Sequence, residues 1–238
     1  MKNSEGQKVP EVTFRTREGS AWKDVTTQEL FAGKTVVVFS LPGAFTPTCS
    51  SNHVPRYNEL APVFKAKGVD DIVCMSVNDG FVMQAWQVDQ QAHNVRFIPD
   101  GNGEFTQGLG LLVDKRSLGF GQRSWRYSML VKDGVIVKQF VEPQKDGDPF
   151  EVSDAETMLR YLDENVQLPH DVLMISRPGC SFCDQAKAML QSRGIEFDEV
   201  AANLRRLKAV SGKTPTPQVF IDGEYVGGAA ELETWLAQ

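Results

Sequence analysis

The feature that most constrains this fold is the apolar run Thr35–Leu41, which is rich in β-branched residues and hardly interrupted by a polar one. A strand with one wet face alternates apolar and polar residues. This one does not, so it needs cover on both faces, as a central strand of an α/β sheet has. Pro42 and Gly43 end it. A helical segment follows over Ser50–Lys67, with Pro55 near its start, Pro62 predicting a bend and Gly68 a stop. Asp71–Val77 reads as the next buried strand, Gly80–His93 as a helix and Val95–Ile98 as a short strand. Trp125–Val131 and Val135–Val141 flank Lys132-Asp133-Gly134, a hairpin signal. Ser153–Asn165 reads as a helix opened by a Ser153/Glu156 capping box. Helices alternating with buried strands imply a layered α/β sandwich.

The pattern then restarts. Val166–His170 is a short bridge ending in Pro169 and His170, and Val172–Ile175 begins a new strand. Ser181–Ser192 reads as helix, Glu196–Val200 as strand and Asn203–Val210 as helix. Gln218–Ile221 and Glu224–Val226 pair across Asp222-Gly223, and Glu231–Leu236 closes the unit as a helix. About 70 residues is near the lower size limit for an independent core. The expected organisation is α/β throughout: one domain over 1–165, a linker over 166–170 and a second domain over 171–238.

Net charge is −6, with no basic half and no long like-charge run, so nucleic acid is not an expected partner. Neither a signal-peptide apolar region nor a membrane-length apolar stretch is present, which predicts a cytoplasmic protein with no membrane partner. Four cysteines in 238 residues do not make a disulfide framework. In a reducing compartment a Cys-x-x-Cys pair is more often chemical than structural, and no group of residues has the spacing of a metal site.

Cys49 follows a loop shaped by Pro42, Gly43 and Pro47, where a helix is expected to begin. Free amides at a helix start favour an anion, and the thiolate is the nucleophilic form of cysteine. Thr46 stands three residues back, where its hydroxyl can hold an incoming polar oxygen. Arg126, on an expected strand, is the best candidate for a distant cation. An inert cysteine packed beside a tight turn is the alternative on local chemistry alone.

The segment Pro42-Gly43-Ala44-Phe45-Thr46-Pro47-Thr48-Cys49 resembles the peroxide-reacting loop of the peroxiredoxins, specifically those like peroxiredoxin 5. The likeness continues through His53-Val54-Pro55, Val73–Asp79 and Arg123–Ser128, and covers roughly residues 4–165. It implies a thioredoxin-like fold that reduces hydrogen peroxide and organic hydroperoxides. It also implies that Cys49 attacks the O–O bond, Pro42 shields the pocket, Thr46 binds the peroxide oxygen and Arg126 stabilises the charges. Cys74, mid-strand, reads as a packed core thiol, and His53 as a packing and hydrogen-bonding residue. His93 and His170 read as solvated or capping residues. Some relatives carry a resolving cysteine later in this domain. Here no cysteine lies between Cys74 and Cys180.

Cys180 and Cys183 follow a strand and open a helix, a spacing that closes a small disulfide ring. Cys180, at the helix start, is expected to be the lower-pKa nucleophile and Cys183 the buried resolver, with Arg177 adding positive charge. Half a zinc site or a structural disulfide fits poorly without another cysteine pair. An X-Pro bond before Gln218–Ile221 can be cis. This segment resembles glutaredoxin through the cysteine pair, Thr216–Gly223 and Gly227-Gly228. The resemblance makes Pro217 a cis-proline facing the cysteines and Thr216 a backbone partner of glutathione. By the same resemblance Arg177 and the helix start at Gly228 and Ala229 hold the glutathione carboxylates and Phe182 joins the site, with Arg205 and Arg206 as weaker candidates. Ser181-Phe182 departs from the Pro-Tyr common between glutaredoxin cysteines, and Ala229-Ala230 from the polar residues common after the double glycine.

The whole chain thus resembles the bacterial peroxiredoxin–glutaredoxin hybrids, two thioredoxin-like α/β/α sandwiches in tandem. That implies glutathione as reducing co-substrate, no tightly bound cofactor, Cys180 as the recycling thiol and a homo-oligomer, dimer or tetramer. The rival reading is a redox sensor or protein-disulfide relay, which would react slowly with peroxide and pass oxidation to a target protein.

Overall fold

The computed structural model describes residues 3–237. It divides into two compact units, one ending at Val166 and the other beginning at Gln167.

In the first unit Thr35–Ser40 lies at the centre of a five-stranded sheet, with Asp71–Ser76 and then Arg96–Pro99 on one side and Tyr127–Lys132 and then Val135–Val141 on the other. It runs parallel to Asp71–Ser76 and antiparallel to Tyr127–Lys132. Val36 and Val38 face a core that includes Phe14, Phe31 and Phe105. Phe39, on the opposite face by strand alternation, stacks on Tyr57 with centroids 4.2 Å apart, and Tyr57 on Phe64. Both faces are covered, as the unbroken apolar run requires. Replacing the fully buried Phe39 with alanine is expected to lower this unit's stability by about 3–5 kcal/mol, measurable in its urea transition.

The expected bend at Pro62 is present: the helix breaks at Leu60 (ψ 2°) between Val54–Glu59 and Ala61–Ala66. Asp133 and Gly134 both take positive φ in the hairpin turn, which fits the twist of its strands. The helix Gly80–Asp89 is shorter than expected and is capped by Asp79. Two expectations are corrected. The last helix of this unit runs Ala155–Leu162, and its cap is Asp154, not Ser153. Ser153 instead donates from its amide and its hydroxyl to Glu142 Oε1, and Glu156 pairs with Arg56. Arg126 precedes its strand rather than lying on it, in the short link between Gln122–Ser124 and Tyr127–Lys132.

The N-terminal hairpin Thr13–Glu18 with Ala21–Thr26, and the short helix Glu104–Gly108, add to the elements expected from sequence. The hairpin contributes Phe14 and Val25 to the core.

The second unit is a four-stranded sheet ordered Asp198–Ala201, Val172–Ser176, Gln218–Ile221, Glu224–Gly227. The first pair is parallel and the others antiparallel. Helices Ser181–Ser192 and Ala229–Leu236 supply Ala186, Leu190 and Leu232 to its core. Leu204–Ser211 is capped by Asn203. Among the described residues no helix is long and apolar enough to cross a membrane, and no three His, Cys, Asp or Glu side chains form a metal-binding group.

Candidate active sites

In the first unit the chain leaves the central strand at Ser40, turns through Pro42 and Gly43 and becomes helical at Pro47. Cys49–His53 forms a wide π turn, with the Val54 amide donating to the Cys49 carbonyl. Cys49 opens this turn and has no exposed surface. The loop before it is held from several directions. Thr46 Oγ1 donates to the Gly43 carbonyl at 2.8 Å, and the Ala44 amide donates to Asn78 Oδ1 at 3.0 Å. Trp86 Nε1 donates to Ser50 Oγ at 3.0 Å, and Arg123 Nη1 to the Val77 carbonyl at 3.0 Å. Pro42 is half-buried beside this loop.

Arg126, 1% exposed, reaches Cys49 across the fold, its Nη2 donating to Sγ at 3.5 Å. The same nitrogen donates to both carboxylate oxygens of Asp148, at 2.5 and 2.6 Å. Arg126 Nη1 lies 3.0 Å from His53 Nδ1, and His53 Nε2 lies 3.1 Å from the Ser153 carbonyl. A guanidinium only donates, so Nδ1 accepts and Nε2 carries the proton. Burial, then the neighbouring Arg126 charge, push the imidazole well below its ordinary pKa, against the opposing Ser153 bond, and leave it neutral. Phe39, Tyr57 and Phe150 surround its ring. His53 therefore orients Arg126 and has no free nitrogen for base chemistry. Arg126 Nε has no partner among the described residues.

Cys74 is fully buried opposite Phe39 in the sheet. Burial, and then the nearby Cys49, push its thiol well above the ordinary range, which keeps it protonated.

Asn78, Arg123 and Asp148 were not singled out from sequence. Asn78 and Arg123 lie in segments that carry the peroxiredoxin likeness, which was the available signal. Asp148 lies in a loop rich in Pro, Gly and Asp, where no spacing or motif marks it.

In the second unit Cys180 caps the helix Ser181–Ser192, its sulfur accepting from the Cys183 amide at 3.2 Å. Thr216 Oγ1 donates to the same sulfur at 3.5 Å, and the Thr216 carbonyl lies 3.6 Å from it. The Thr216–Pro217 peptide is cis. Burial opposes the Cys180 thiolate. Hydrogen bonds from Cys183 and Thr216, and then the Arg177 charge, outweigh it and lower the pKa. Burial and the adjacent Cys180 raise that of Cys183. Iodoacetamide is expected to alkylate Cys180 first at neutral pH. Its rate should rise through a midpoint below that of an ordinary cysteine, and that of Cys183 through one above it, read by peptide mass spectrometry across a pH series.

Phe182, Thr216, Pro217, Gly228 and Ala229 line one cleft of about 560 Å³, together with Gln185, Lys213 and Tyr225. Arg177, Arg205 and Arg206 do not line it. Arg206 bonds the Ala201 carbonyl instead. The Gly228 amide already donates to Glu231 Oε2 at 2.8 Å, so an internal carboxylate occupies part of the helix start expected to receive an outside one. Lys213, 4.8 Å from the Tyr225 ring centre, is the one cation among the described residues lining this cleft, and sequence reasoning did not single it out.

Residues 4–159 match the Redoxin family and residues 172–226 the Glutaredoxin family. The hybrid peroxiredoxin hyPrx5 of Haemophilus influenzae is 59% identical over the whole of both chains. A Synechocystis peroxiredoxin, sll1621, is 56% identical over 66% of this chain and 89% of its own. The reduced Prx3 of Vibrio vulnificus in complex with hydrogen peroxide superposes with a TM-score of 0.64 at 45% identity, over 68% of this chain and all of that one. A thioredoxin-like peroxidase unit with a buried thiol under an arginine, and a glutaredoxin unit with a Cys-x-x-Cys pair at a helix start, stand in one polypeptide: the chain belongs to the hybrid peroxiredoxins, thiol peroxidases of the peroxiredoxin family with a fused glutaredoxin domain.

Proposed function

We propose that the protein reduces hydrogen peroxide and organic hydroperoxides at Cys49 and is recycled by glutathione through Cys180. The observation that carries this reading is Arg126 Nη2 at 3.5 Å from Cys49 Sγ, in a domain whose one other cysteine is buried in the sheet. The Cys49 thiolate attacks the outer peroxide oxygen. An S–O bond forms, the O–O bond breaks, and the proton of the attacked oxygen passes to the departing alkoxide, giving sulfenate and an alcohol or water. Arg126 holds the thiolate and stabilises charge on the departing oxygen, with Nε as its unengaged donor. Thr46 turns its hydroxyl from Gly43 to the peroxide, and Pro42 keeps water from the sulfur. The peroxide-bound Vibrio relative supports the same chemistry here.

Glutathione then condenses with the sulfenic acid, releasing water and leaving a mixed disulfide on Cys49. The Cys180 thiolate takes over the glutathionyl group and frees Cys49 as thiolate. A second glutathione clears Cys180 as glutathione disulfide. Thr216, Pro217, Phe182, Gly228 and Ala229 line the cleft for the tripeptide. Arg177 acts on the Cys180 thiolate through its charge, and Lys213 is the cation for a glutathione carboxylate. We assign the peroxidase to residues 1–165, the reductase to 171–238 and the tether to 166–170. One chain carrying both sites raises the local concentration of each for the other. The reading places the protein in the glutathione-rich cytoplasm as a dimer or tetramer.

The test is peroxide consumption by the full chain with glutathione as sole thiol. Multiple turnovers are expected, with glutathione disulfide formed one for one with peroxide lost. Slow reaction with peroxide alongside efficient oxidation of a partner protein would favour the relay reading instead.

A further inference from the structure

We propose that Asp148 is a specificity-determining residue of the peroxidase site, an internal counter-anion that reserves Arg126 for neutral hydroperoxides. This rests on the reading of Cys49 as the peroxide-attacking sulfur. A buried guanidinium is permanently charged and costly to leave uncompensated. Beside a reactive sulfur it would also attract chloride, phosphate or any carboxylate small enough to enter. Asp148 removes that opportunity by placing both its oxygens on Nη2, the nitrogen that also donates to Cys49.

The pair is asymmetric. Arg126 is 1% exposed, whereas the Asp148 side chain is 39% exposed, so the negative member faces solvent. Among the described residues no other carboxylate bonds Arg126. Its remaining partners are the neutral His53 and the Cys49 sulfur.

The placement of Asp148 is built rather than incidental. It lies in the loop after the strand Val135–Val141. Glu142, where that loop begins, accepts from the amides of Glu151, Val152 and Ser153, where it ends. The Glu142 amide in turn donates to the Arg126 carbonyl. Phe150 lies against the guanidinium, its ring centre 5.5 Å from Cζ. Both ends of the loop are therefore tied near the arginine that Asp148 engages.

A neutral peroxide can use the unengaged Nε and the sulfur without displacing Asp148. An anionic peroxide meets the carboxylate first. At a separation of roughly 6 Å and an effective dielectric near 40, one unit charge changes an anion's encounter by about tenfold.

The test compares hydrogen peroxide with peroxymonosulfate, a compact anionic hydroperoxide that passes its outer OH to the thiolate, giving sulfenic acid, and leaves as sulfate. Single-turnover oxidation of the Cys49 peptide is followed by quenched flow and mass spectrometry in the full-length protein. Asp148→Asn is expected to raise the ratio of the peroxymonosulfate rate constant to the hydrogen peroxide rate constant about tenfold, and Asp148→Glu to keep the wild-type ratio. Asp148→Ser is a second neutral variant expected to behave as Asp148→Asn. An unchanged ratio in both neutral variants, as a purely structural role predicts, overturns the inference. So does a Glu variant that behaves like Asn. Failure of both oxidants to oxidise Cys49 in the wild-type protein overturns the peroxidase reading and this inference with it.

Discussion

A Cys49→Ser protein is expected to consume peroxide no faster than background, a loss of at least about 10⁴-fold, the scale seen when a catalytic nucleophile is removed. A serine hydroxyl stays protonated at neutral pH and is a poor nucleophile toward oxygen, so the Arg126 contact has no anion to present. The substitution is close to isosteric, and the side chain sits in a packed turn with no exposed surface. Thermal unfolding followed by circular dichroism should therefore show the fold kept while activity is gone. Residual turnover at a tenth of wild type would place the peroxide chemistry on another thiol.

Cys180→Ser should separate the two halves of the cycle. One equivalent of peroxide per chain is still consumed at the wild-type rate, because Cys49 and its arginine lie wholly within the first unit. Turnover supported by glutathione then falls about 10²-fold, to what free glutathione achieves without a tethered reductase site. Mass spectrometry should find Cys49 carrying glutathione. Cys183→Ser is expected to retain most of the turnover. Its thiol is raised by burial and by Cys180, so at neutral pH it stays protonated while glutathione clears Cys180. A loss as severe as that of Cys180 would mean that the dithiol route operates.

The elements that read clearly in the sequence are those whose burial or backbone chemistry marks the residues themselves. Thr35–Leu41 announced a covered central strand because every residue from Val36 to Leu41 is buried. Pro62 announced a break because its ring cannot continue a helix. The N-terminal hairpin was silent because Ala21–Thr26 buries little beyond Val25. Ser153 looked like a cap because a hydroxyl there can serve, but Glu142, 11 residues upstream, claims it. The wide turn at Cys49–His53 has no side-chain signature.

The sites divide the same way. Motif residues at short spacing, Cys49 with Thr46 and Cys180 with Cys183, were legible. Arg126 was legible as a distant cation and, through the likeness, as the partner of Cys49, though not its place just before its strand. Asp148 was not, because its importance comes from a partner 22 residues away and from a loop closed by backbone amides. Glu231 at the Gly228 amide was hidden for a similar reason: a side chain took an anion position that the backbone pattern left open.

On the proposed cycle, the complete burial of Cys49 makes different demands on its two reaction partners. Hydrogen peroxide is little larger than water and needs only a fluctuation to arrive. Glutathione is a tripeptide, far larger than any space beside a sulfur with no exposed surface in the opening turn of a helix. On the cycle proposed above, the Cys49–His53 turn has to open before glutathione can form its mixed disulfide, so that cycle alternates a chemical step on a closed main chain with an exchange step on an open one. The interval between them is when a second peroxide can reach the oxidised sulfur, and it is governed by how readily those few backbone hydrogen bonds let go.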